Sequence, residues 1–554
     1  MNILIIALLL LAVPSSTEGD VYYVKPDSYT SLCPEPCHTL GHYVQNTSAY
    51  FKSNTTFHFL SGHHTLSQTV KVECIKDLTL MGEETFVPGL LDLPAPSSQI
   101  YCNGSVGFSF AAMHTLFIGN LLFSGCGALM AKSSYFQLWA ALAVGGLGNS
   151  SIYDVTIQAI TVQNSTGYGI LGNNIFGRSV IIDSNFIFNR SPPRSVVGGN
   201  SRFVYMDCPM NSSTTFYINS TNFIKGSMSA YLDEIWYGRA TGIAITITPM
   251  CSKLTIKLTN ITADGNEGCN GGNMNIMYRT FDPTNHIIVS NSCFINGYAH
   301  SGGRGGGVNI DSHQHNLLPG NVKFINCTFE NNSGTAVFLS PSATLTFQGK
   351  ILFRNNSGKN GGALFFSENS QMLVSDNTTI VFTNNSATCA GGAIWAPSEF
   401  ITVPACFFQF TACNYPFALN LPAHNIELKF IHNYARDAGN LLYGGAIDNC
   451  YFKDNGTDNP SGAYIGVFNG SYMVNSALHK SEVSSDPIGA CFCIDNAPDC
   501  SLKVSNITKY PGEDFFISAT TVGQRNGTVP GNIIAELTDT KGNYSLLGDL
   551  QQGL

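Results

Sequence analysis

The sequence has few charged residues. Only 11% of its 554 residues are Asp, Glu, Lys or Arg, less than half the share of an ordinary soluble protein, which is about 25%. The 36 acidic residues outnumber the 27 basic ones, and no basic run is present that would neutralise nucleic-acid phosphates. We therefore expect no nucleic-acid partner. The hydrophobic share of 44% argues against a disordered chain, because disorder goes with low hydrophobicity and high charge.

Long apolar runs are missing after the first twenty residues. The longest later run is residues 136–144, whereas a membrane-spanning helix needs about 20 apolar residues, so we expect no membrane span in the chain. Residues 2–14 form a short apolar run followed by small residues, which predicts a signal peptide over residues 1–19. The start of this segment lacks Lys and Arg, unlike an ordinary leader. We predict a secreted protein, or a cell-surface one if the chain continues beyond Leu554.

Candidate N-glycosylation motifs agree with this location. The sequence contains roughly 19 Asn-x-Ser/Thr motifs, which are glycan acceptors in secreted chains. A chain rich in Asn, Ser and Thr also produces the motif by chance, and that alternative stays open. The candidate glycosylation sites are Asn46, Asn54, Asn103, Asn164, Asn331, Asn355, Asn377, Asn455, Asn506 and Asn526.

The 17 cysteines also suit an oxidising compartment. Their spacing does not match a zinc site, because no second pair of ligands follows the first pair at a useful distance. The odd count leaves at least one thiol free or paired outside the chain. In the repeated region, Cys293, Cys327 and Cys413 are interpreted as small core residues or bridges between repeats. The disulfide candidates are Cys33, Cys37, Cys491, Cys493 and Cys500.

A two-part motif returns between about residues 110 and 450. It consists of Phe-x-x-Asn and then Gly-Gly-Ala with an aliphatic residue, as in residues 353–356 and 361–364. The aliphatic positions fall at 308, 337, 364, 394 and 447, which gives steps of 29, 27, 30 and 53 residues. The last step is interpreted as two repeats, with the intermediate one at residues 410–413.

These repeats predict a parallel β-solenoid. Stretches such as residues 254–259 alternate with period two, as half-buried strands do. We expect Phe and the aliphatic residue to point inward, Asn to occupy left-handed turns or bond along a ladder, and Gly-Gly to allow tight bends. One repeat cannot bury its own apolar face, but a stack of about twelve can.

The paired Phe-x-x-Asn and Gly-Gly-Ala-Ile/Leu/Val motifs resemble the repeats of the polymorphic outer-membrane protein family, most strongly over residues 294–447. The resemblance implies a right-handed parallel β-helix of the pectin-lyase-like type and a role in adhesion. The sequons set this chain apart from bacterial members, and it looks more like the large extracellular β-helix proteins of animals that share these repeats.

The predicted fold is all-β, a right-handed parallel β-helix with an N-terminal cap and a small C-terminal β-sandwich-like module. The expected boundaries are a signal peptide at 1–19, the cap and first rungs at 20–105, the β-helix at 106–485 and the C-terminal module at 486–554. A truncated module is an alternative, because no terminating feature precedes Leu554.

Candidate catalytic groups are few. Pectin-cleaving hydrolases of the resembled fold use an adjacent Asp-Asp pair with Gly-His-Gly, and neither occurs here. A lyase needs calcium-binding carboxylates or a base that takes a proton, for which Asp233, Glu234 and Arg304 are weak candidates. Such residues more often belong to solvated loops.

One candidate metal site is visible. Asp311, His313 and His315 would share one face of a strand, although residues 316–320 read as a turn and favour a polar loop. We therefore predict no cofactor.

Three functions remain open. The first is a non-enzymatic interaction protein that presents the lateral face of the solenoid to glycans or extracellular proteins, as in adhesion or a matrix. The second is a polysaccharide lyase or hydrolase, which depends on fold analogy alone. The third is a structural spacer in a larger, membrane-anchored surface protein.

Overall fold

The computed structural model describes most of residues 19–395 and a few short strands beyond them. The segments left out before residue 395 are 84–95, 103–105, 130–138, 146–151, 191–198, 206–213, 228–244, 250–252, 269, 279–284, 301–303, 313–320, 342, 368–369 and 389–390. The predicted C-terminal module lies outside the described residues except for one hairpin.

Three long sheets, here named A, B and C, form the body of the molecule. Sheet A contains β2 (Cys37–Thr39), β1 (Val21–Lys25), β3 (Thr55–Phe59), β6 (Asp77–Gly82), β9 (Met113–Gly119), β13 (Ile152–Gln158), β16 (Arg178–Ile182), β19 (Thr214–Asn219), β22 (Leu254–Thr259), β26 (His286–Ser290), β30 (Asn321–Ile325), β33 (Thr344–Gln348), β37 (Gln371–Val374) and β41 (Phe407–Phe408). Sheet B contains β4 (Gly62–Leu66), β7 (Ser98–Cys102), β10 (Leu121–Ser124), β14 (Thr161–Gln163), β17 (Asn185–Ile187), β20 (Asn222–Ile224), β23 (Thr262–Asp264), β27 (Cys293–Ile295), β31 (Thr328–Glu330), β34 (Lys350–Arg354), β38 (Thr379–Thr383), β42 (Glu427–Ile431) and β45 (Phe452–Asp454). Sheet C contains β5 (Val70–Glu73), β8 (Phe108–Ala111), β12 (Trp139–Gly145) with β11 (Ala128–Leu129), β15 (Tyr168–Asn173), β18 (Gly199–Tyr205), β21 (Ile245–Pro249), β25 (Met274–Tyr278), β29 (Val308–Ser312), β32 (Val337–Leu339), β36 (Leu364–Phe366), β40 (Ile394–Trp395), β44 (Leu442–Tyr443) and β46 (Ile465–Gly466).

Short elements complete the structure. Two small ladders lie between sheets B and C. In the first, β24 (Glu267–Gly268) pairs with β28 (Tyr298–Ala299), and the second consists of β35 (Ser357–Gly358), β39 (Ser386–Ala387) and β43 (Tyr434–Ala435). Two helices lie within the described residues, α1 (Leu40–Gln45) and α2 (Thr47–Tyr50). The hairpin of β47 (Ala535–Asp539) and β48 (Gly542–Leu546) is antiparallel.

The chain runs through sheets A, B and C in turn, and we call each such circuit a rung. Nearly all pairings between successive rungs are parallel, as between β31 and β34 or β32 and β36. The predicted right-handed parallel β-helix is therefore confirmed. Within each strand alternate residues point inward, which is the period-two pattern visible in the sequence.

The predicted inward position of the repeat Phe is also confirmed. Phe329, Phe353 and Phe382 are register partners on sheet B and are fully buried. The ring centroids are 4.8 Å apart for the first pair and 5.0 Å for the second, and the rings are nearly parallel. Offset stacking of this kind adds about 0.5–1.5 kcal/mol per pair to the burial of the rings. The repeat thus forms a continuous aromatic stack inside the helix.

The 53-residue step is a single rung, so our interpretation of it as two rungs is wrong. Phe382 pairs directly with Phe430, and Ile394 with Leu442 rather than with Ile447. The extra length lies between β40 and β42, where β41 adds to the edge of sheet A in the antiparallel sense. A long insertion and a degenerate repeat look alike in a sequence, because only strand pairing distinguishes them.

The N-terminal end of the stack is filled by aromatic side chains. Tyr43 of α1 is buried against Tyr22, Tyr50 and Phe57, with ring centroids 5.0–5.4 Å away. The single proton of its hydroxyl is shared between two acceptors, the carbonyl oxygens of Tyr23 (3.1 Å) and Pro36 (3.0 Å). Burial raises the pKa of Tyr43 to about 12, so the hydroxyl keeps its proton. Helix α1 and these rings close one end of the core.

Candidate functional site

The Asn of the Phe-x-x-Asn motif forms a ladder inside the helix. Asn332, Asn356, Asn385 and Asn433 are buried, and each side-chain amide bonds the next at 2.9–3.0 Å. Each Nδ2 also donates to the carbonyl oxygen of the Phe one rung below, as from Asn356 to Phe329 at 3.0 Å. The predicted Asn ladder is confirmed, and it satisfies polar groups where sheet B turns toward sheet C.

The ladder continues through rungs that lack the motif. Gly226 and Gly297 stand where the motif has Asn, and an amide from another segment fills each place. Asn200 lies 2.9 Å from the amides of Asn189 and Asn266, while Asn273 lies 2.8 Å from that of Asn266 and 3.2 Å from that of Asn332. Eight amides thus form one unbroken series: Asn189, Asn200, Asn266, Asn273, Asn332, Asn356, Asn385 and Asn433.

The Gly-Gly-Ala motif shapes the entry to sheet C. Gly361 has a φ of +66°, and a Cβ at this position would collide with the carbonyl oxygen of Leu364. A Cβ on Gly362 would collide with the backbone of the next rung at Gly392 and Ser386. Both glycines are therefore required by close backbone approach. After this turn, Ala363 and Leu364 point into the core.

The residue that follows the aliphatic position faces outward, and in three successive rungs it is aromatic. Phe338, Phe365 and Trp395 are register partners on three successive strands of sheet C. We call these three residues the aromatic column. Phe338 is nearly buried, at 6% exposure, whereas Phe365 and Trp395 are half-buried. The preceding rungs carry buried Asn275 and Asn309 at the same position, joined by a 2.8 Å hydrogen bond.

The rings of the aromatic column stack face to face. Their centroids are 4.5 Å and 4.3 Å apart, and their planes are 13° and 24° from parallel. Arg304, on the preceding rung, places its guanidinium carbon 4.9 Å from the centroid of the Phe338 ring, a cation–π contact. Because ring faces are used within the column, ring edges face outward. The site is an apolar stripe with a cation at one end.

Of the catalytic candidates Asp233, Glu234 and Arg304, the structure describes only Arg304. Asp233 and Glu234 lie outside the described residues. Arg304 is exposed, and its backbone N–H donates to the side chain of Asn270 at 3.0 Å. Within the described ranges, Arg304 has no carboxylate partner, since the ion pairs found there join other residues. Among the described residues, the guanidinium of Arg304 lies beside the ring of Phe338.

Only one member of the predicted metal site is described. Asp311 lies on β29, half-buried, and its carboxylate accepts a 2.8 Å hydrogen bond from the hydroxyl of Ser340. His313 and His315 lie outside the described residues. Among the side chains that the structure does describe, no three of His, Cys, Asp or Glu are grouped as a metal site requires.

The structure contains two disulfides within the described ranges. Cys33 is joined to Cys37, both of them candidates, and Cys102 is joined to Cys126, a pair that the sequence analysis missed. Cys491, Cys493 and Cys500, like Cys413, lie outside these ranges. In the repeats, Cys327 is a buried free thiol and Cys293 is a half-buried one, so the core-residue interpretation applies to Cys327 and neither forms a bridge.

The described glycosylation candidates are at the surface. Five are exposed and Asn54 is half-buried; the five are Asn46, Asn164, Asn331, Asn355 and Asn377. The remaining candidates, Asn103, Asn455, Asn506 and Asn526, lie outside the described residues.

Two comparisons, with protein-family models and with curated proteins, give no match. No protein-family model matches the chain, and no curated protein is significantly similar to it. In the part of the chain that the structure describes, no helix is long and apolar enough to cross a membrane.

Proposed function

We propose that this chain is a secreted or cell-surface, non-enzymatic interaction protein that binds its partner through the outer face of sheet C. The observation that carries the proposal is the aromatic column, Phe338, Phe365 and Trp395, with Arg304 at its end. Trp and Arg dominate the energetic centres of protein interfaces, and a rigid scaffold holds them without loss of side-chain entropy on binding. A stack of 14 strands, at about 4.8 Å each, is about 60 Å long and offers a large lateral surface.

The ring geometry favours a protein partner over a glycan. A sugar that stacks on an aromatic side chain needs an open ring face, whereas Phe338 and Phe365 have neighbours over their faces. Ring edges and a guanidinium suit a protein surface with apolar side chains and an acceptor for Arg304. The experiment described below distinguishes a protein partner from a glycan partner.

We also infer kinship with the pectin-lyase-like β-helices that carry polymorphic-outer-membrane-protein-type repeats. In support, each half of the repeat has its own structural role. Phe-x-x-Asn supplies the core stack and the amide ladder, and Gly-Gly-Ala-aliphatic supplies the turn into sheet C. Adhesion, the role implied by that resemblance, is compatible with a lateral binding face.

The test measures binding of the purified, secreted chain, as a fluorescent tetramer, to intact cells. A double variant, Phe365→Ser with Trp395→Ser, removes the exposed part of the aromatic column. The control is Phe117→Ser, which removes a half-buried aromatic ring from the outer face of sheet A. We expect the double variant to bind at least tenfold more weakly and the control to bind like the wild type. Equal binding by the folded double variant would contradict the proposal.

Two further arms identify the class of partner. Protease treatment of the cells should abolish binding, and glycosidase treatment should leave it unchanged; the reverse result would indicate a glycan. Incubation on a broad glycan array with product analysis tests the enzymatic alternative. Cleavage of any polysaccharide there would overturn the non-enzymatic assignment.

A further inference from the structure

Two columns of tight turns run along the edges of sheet B. Each turn is one residue with positive φ: the first column joins sheet A to sheet B, and the second follows the end of each sheet B strand. The first column is Asn120, Ala159, Asp183, Ser220, Asn260, Asn291, Asn326, Gly349 and Asn377. The second column is Gly125, Asn164, Phe188, Lys225, Gly265, Asn296, Asn331, Asn355 and Asn384.

The turns that hold Asn are enriched in glycosylation sequons. Of the 21 non-glycine residues with positive φ, 12 are Asn, and eight of these twelve begin Asn-x-Ser/Thr. Among the nine that are not Asn, three have Ser or Thr two residues later. The eight sequon turns are Asn54, Asn164, Asn260, Asn326, Asn331, Asn355, Asn377 and Asn384.

Turns without Asn show how often the fold itself places Ser or Thr two residues after a turn. Asn is favoured at turns with positive φ because it tolerates the left-handed conformation, and the second residue after the turn is commonly an outward strand position that suits Thr. Strand chemistry alone would place Ser or Thr after every kind of turn equally. The excess after Asn therefore points to use of the motif itself.

Exposure agrees with that use. Seven of the eight sequon Asn residues are exposed and Asn54 is half-buried. Asn189 also begins a sequon, Asn189-Arg-Ser, but its side chain is fully buried in the ladder and donates to the carbonyl oxygen of Val162 at 3.0 Å. A glycan on Asn189 would require the ladder to open.

We propose that N-linked glycans are attached at these turns, and that the seven turns other than Asn54, which belong to the two columns, carry them in two lines that flank sheet B. Both columns lie on the edges of sheet B, so these glycans leave the aromatic column on sheet C accessible. Only 11% of the residues in the chain are charged. Attached sugars would therefore add hydration to a surface that has few charges. The inference rests on the secretory route put forward with the proposed function.

Site-by-site mass spectrometry tests it. The full chain is secreted from eukaryotic cells, once with its own leader and once behind a leader of established activity. Peptide-N-glycosidase then removes the glycans in heavy-oxygen water. The enzyme converts each glycosylated Asn to Asp that carries the heavy oxygen, so every occupied site is labelled. We expect label at the sequon turns and none at Asn189. Unlabelled turns in the secreted protein, or label at Asn189, would overturn the inference.

A gain-of-site variant sharpens the test. Asn291 occupies the same kind of turn but is followed by Ser292 and Cys293, so it lacks the motif. Cys293→Thr completes the motif, and Thr already stands at both register partners, Thr262 and Thr328. We expect a new glycan on Asn291, and its absence would contradict the inference. The chain could fail to be secreted with its own leader and yet be labelled at the turns when secreted behind the other leader. That result would overturn the proposed location and leave this inference standing.

Discussion

The amide ladder makes a strong prediction about stability, which Asn356→Ala tests. The Oδ1 of Asn356 accepts hydrogen bonds from the backbone N–H and from the Nδ2 of Asn332, both at 3.0 Å. Its Nδ2 donates to the carbonyl oxygen of Phe329 at 3.0 Å and to Asn385 at 2.9 Å. The side chain is fully buried, so water cannot replace these partners in the folded chain.

The expected loss follows from the groups left without a partner. In the variant the backbone N–H of Asn332 loses its side-chain acceptor and the carbonyl of Phe329 loses one donor, while the Nδ2 of Asn332 keeps its 2.9 Å bond to Phe294. Each buried polar group left unsatisfied costs about 1–3 kcal/mol. We therefore expect the free energy of unfolding to fall by about 2–5 kcal/mol, a large share of the 5–15 kcal/mol of a typical domain.

Urea unfolding followed by circular dichroism measures this change. Asn120→Gly is the control, because Asn120 also lies at a rung turn with positive φ, begins no sequon, and Gly adopts this conformation freely. The control should stay within about 0.5 kcal/mol of the wild type. Asn356→Ala keeps the Asn355-x-Ser357 motif, so glycosylation does not differ. A loss below about 1 kcal/mol would refute a stabilising role for the ladder.

Three further predictions concern single side chains. Gly361→Ala should lower the free energy of unfolding, measured in urea, by about 1–3 kcal/mol or more, because Ala is strained at a φ of +66° and its Cβ would collide with backbone atoms. The control, Gly41→Ala in α1, should be neutral or stabilising. Burial raises the pKa of the Cys327 thiol to about 12, so this thiol should resist iodoacetamide at pH 8 in the native protein. The exposed thiol of Cys74 should react. Equal labelling of the two cysteines, measured by mass spectrometry, would contradict this prediction. Burial lowers the pKa of His64 in the folded chain, so below about pH 6.5 the unfolded chain binds more protons than the folded chain. The free energy of unfolding should therefore decrease by up to about 1.4 kcal/mol for each unit by which the pH is lowered in that range. His64→Gln should flatten this pH dependence.

The rung could be predicted because its rules are local. Alternation in Leu254–Thr259 reports which side chains point inward, and the φ of Asn331 or Gly361 is a property of one residue and its neighbours. These features recur every turn, so repetition reinforced each of them. The strand direction followed, since one rung can bury its apolar face only against another.

Features that depend on contacts distant in the chain could not be predicted. Asn200 and Asn273 complete the ladder beside Gly226 and Gly297, yet no local pattern marks them as substitutes for the motif. In the sequence, Phe382 could pair either with Phe430 or with the intermediate repeat at residues 410–413. Only the tertiary structure shows that the partner is Phe430.

The aromatic column did have a signal that the sequence analysis did not use. An aromatic residue directly follows the aliphatic position in three successive repeats, at Phe338, Phe365 and Trp395. Period-two alternation places that residue on the outer face of sheet C. Catalytic and metal sites have recognisable residue types, such as carboxylates, bases and metal ligands, whereas a binding surface has none, so this signal is easily passed over.

The sequons show how one residue can serve the fold and the surface at once. A turn that needs positive φ selects Asn for its backbone, and the strand that follows offers an outward Thr or Ser, so the β-helix makes glycosylation motifs likelier than composition alone does. Sequence counting cannot separate this effect from selection for glycans. Turns of equal geometry can, because Ala159, Lys225 and Lys253 show what the strand supplies in the absence of Asn. The excess at Asn turns is then the part that the fold leaves unexplained, and a glycan on each exposed turn would account for it.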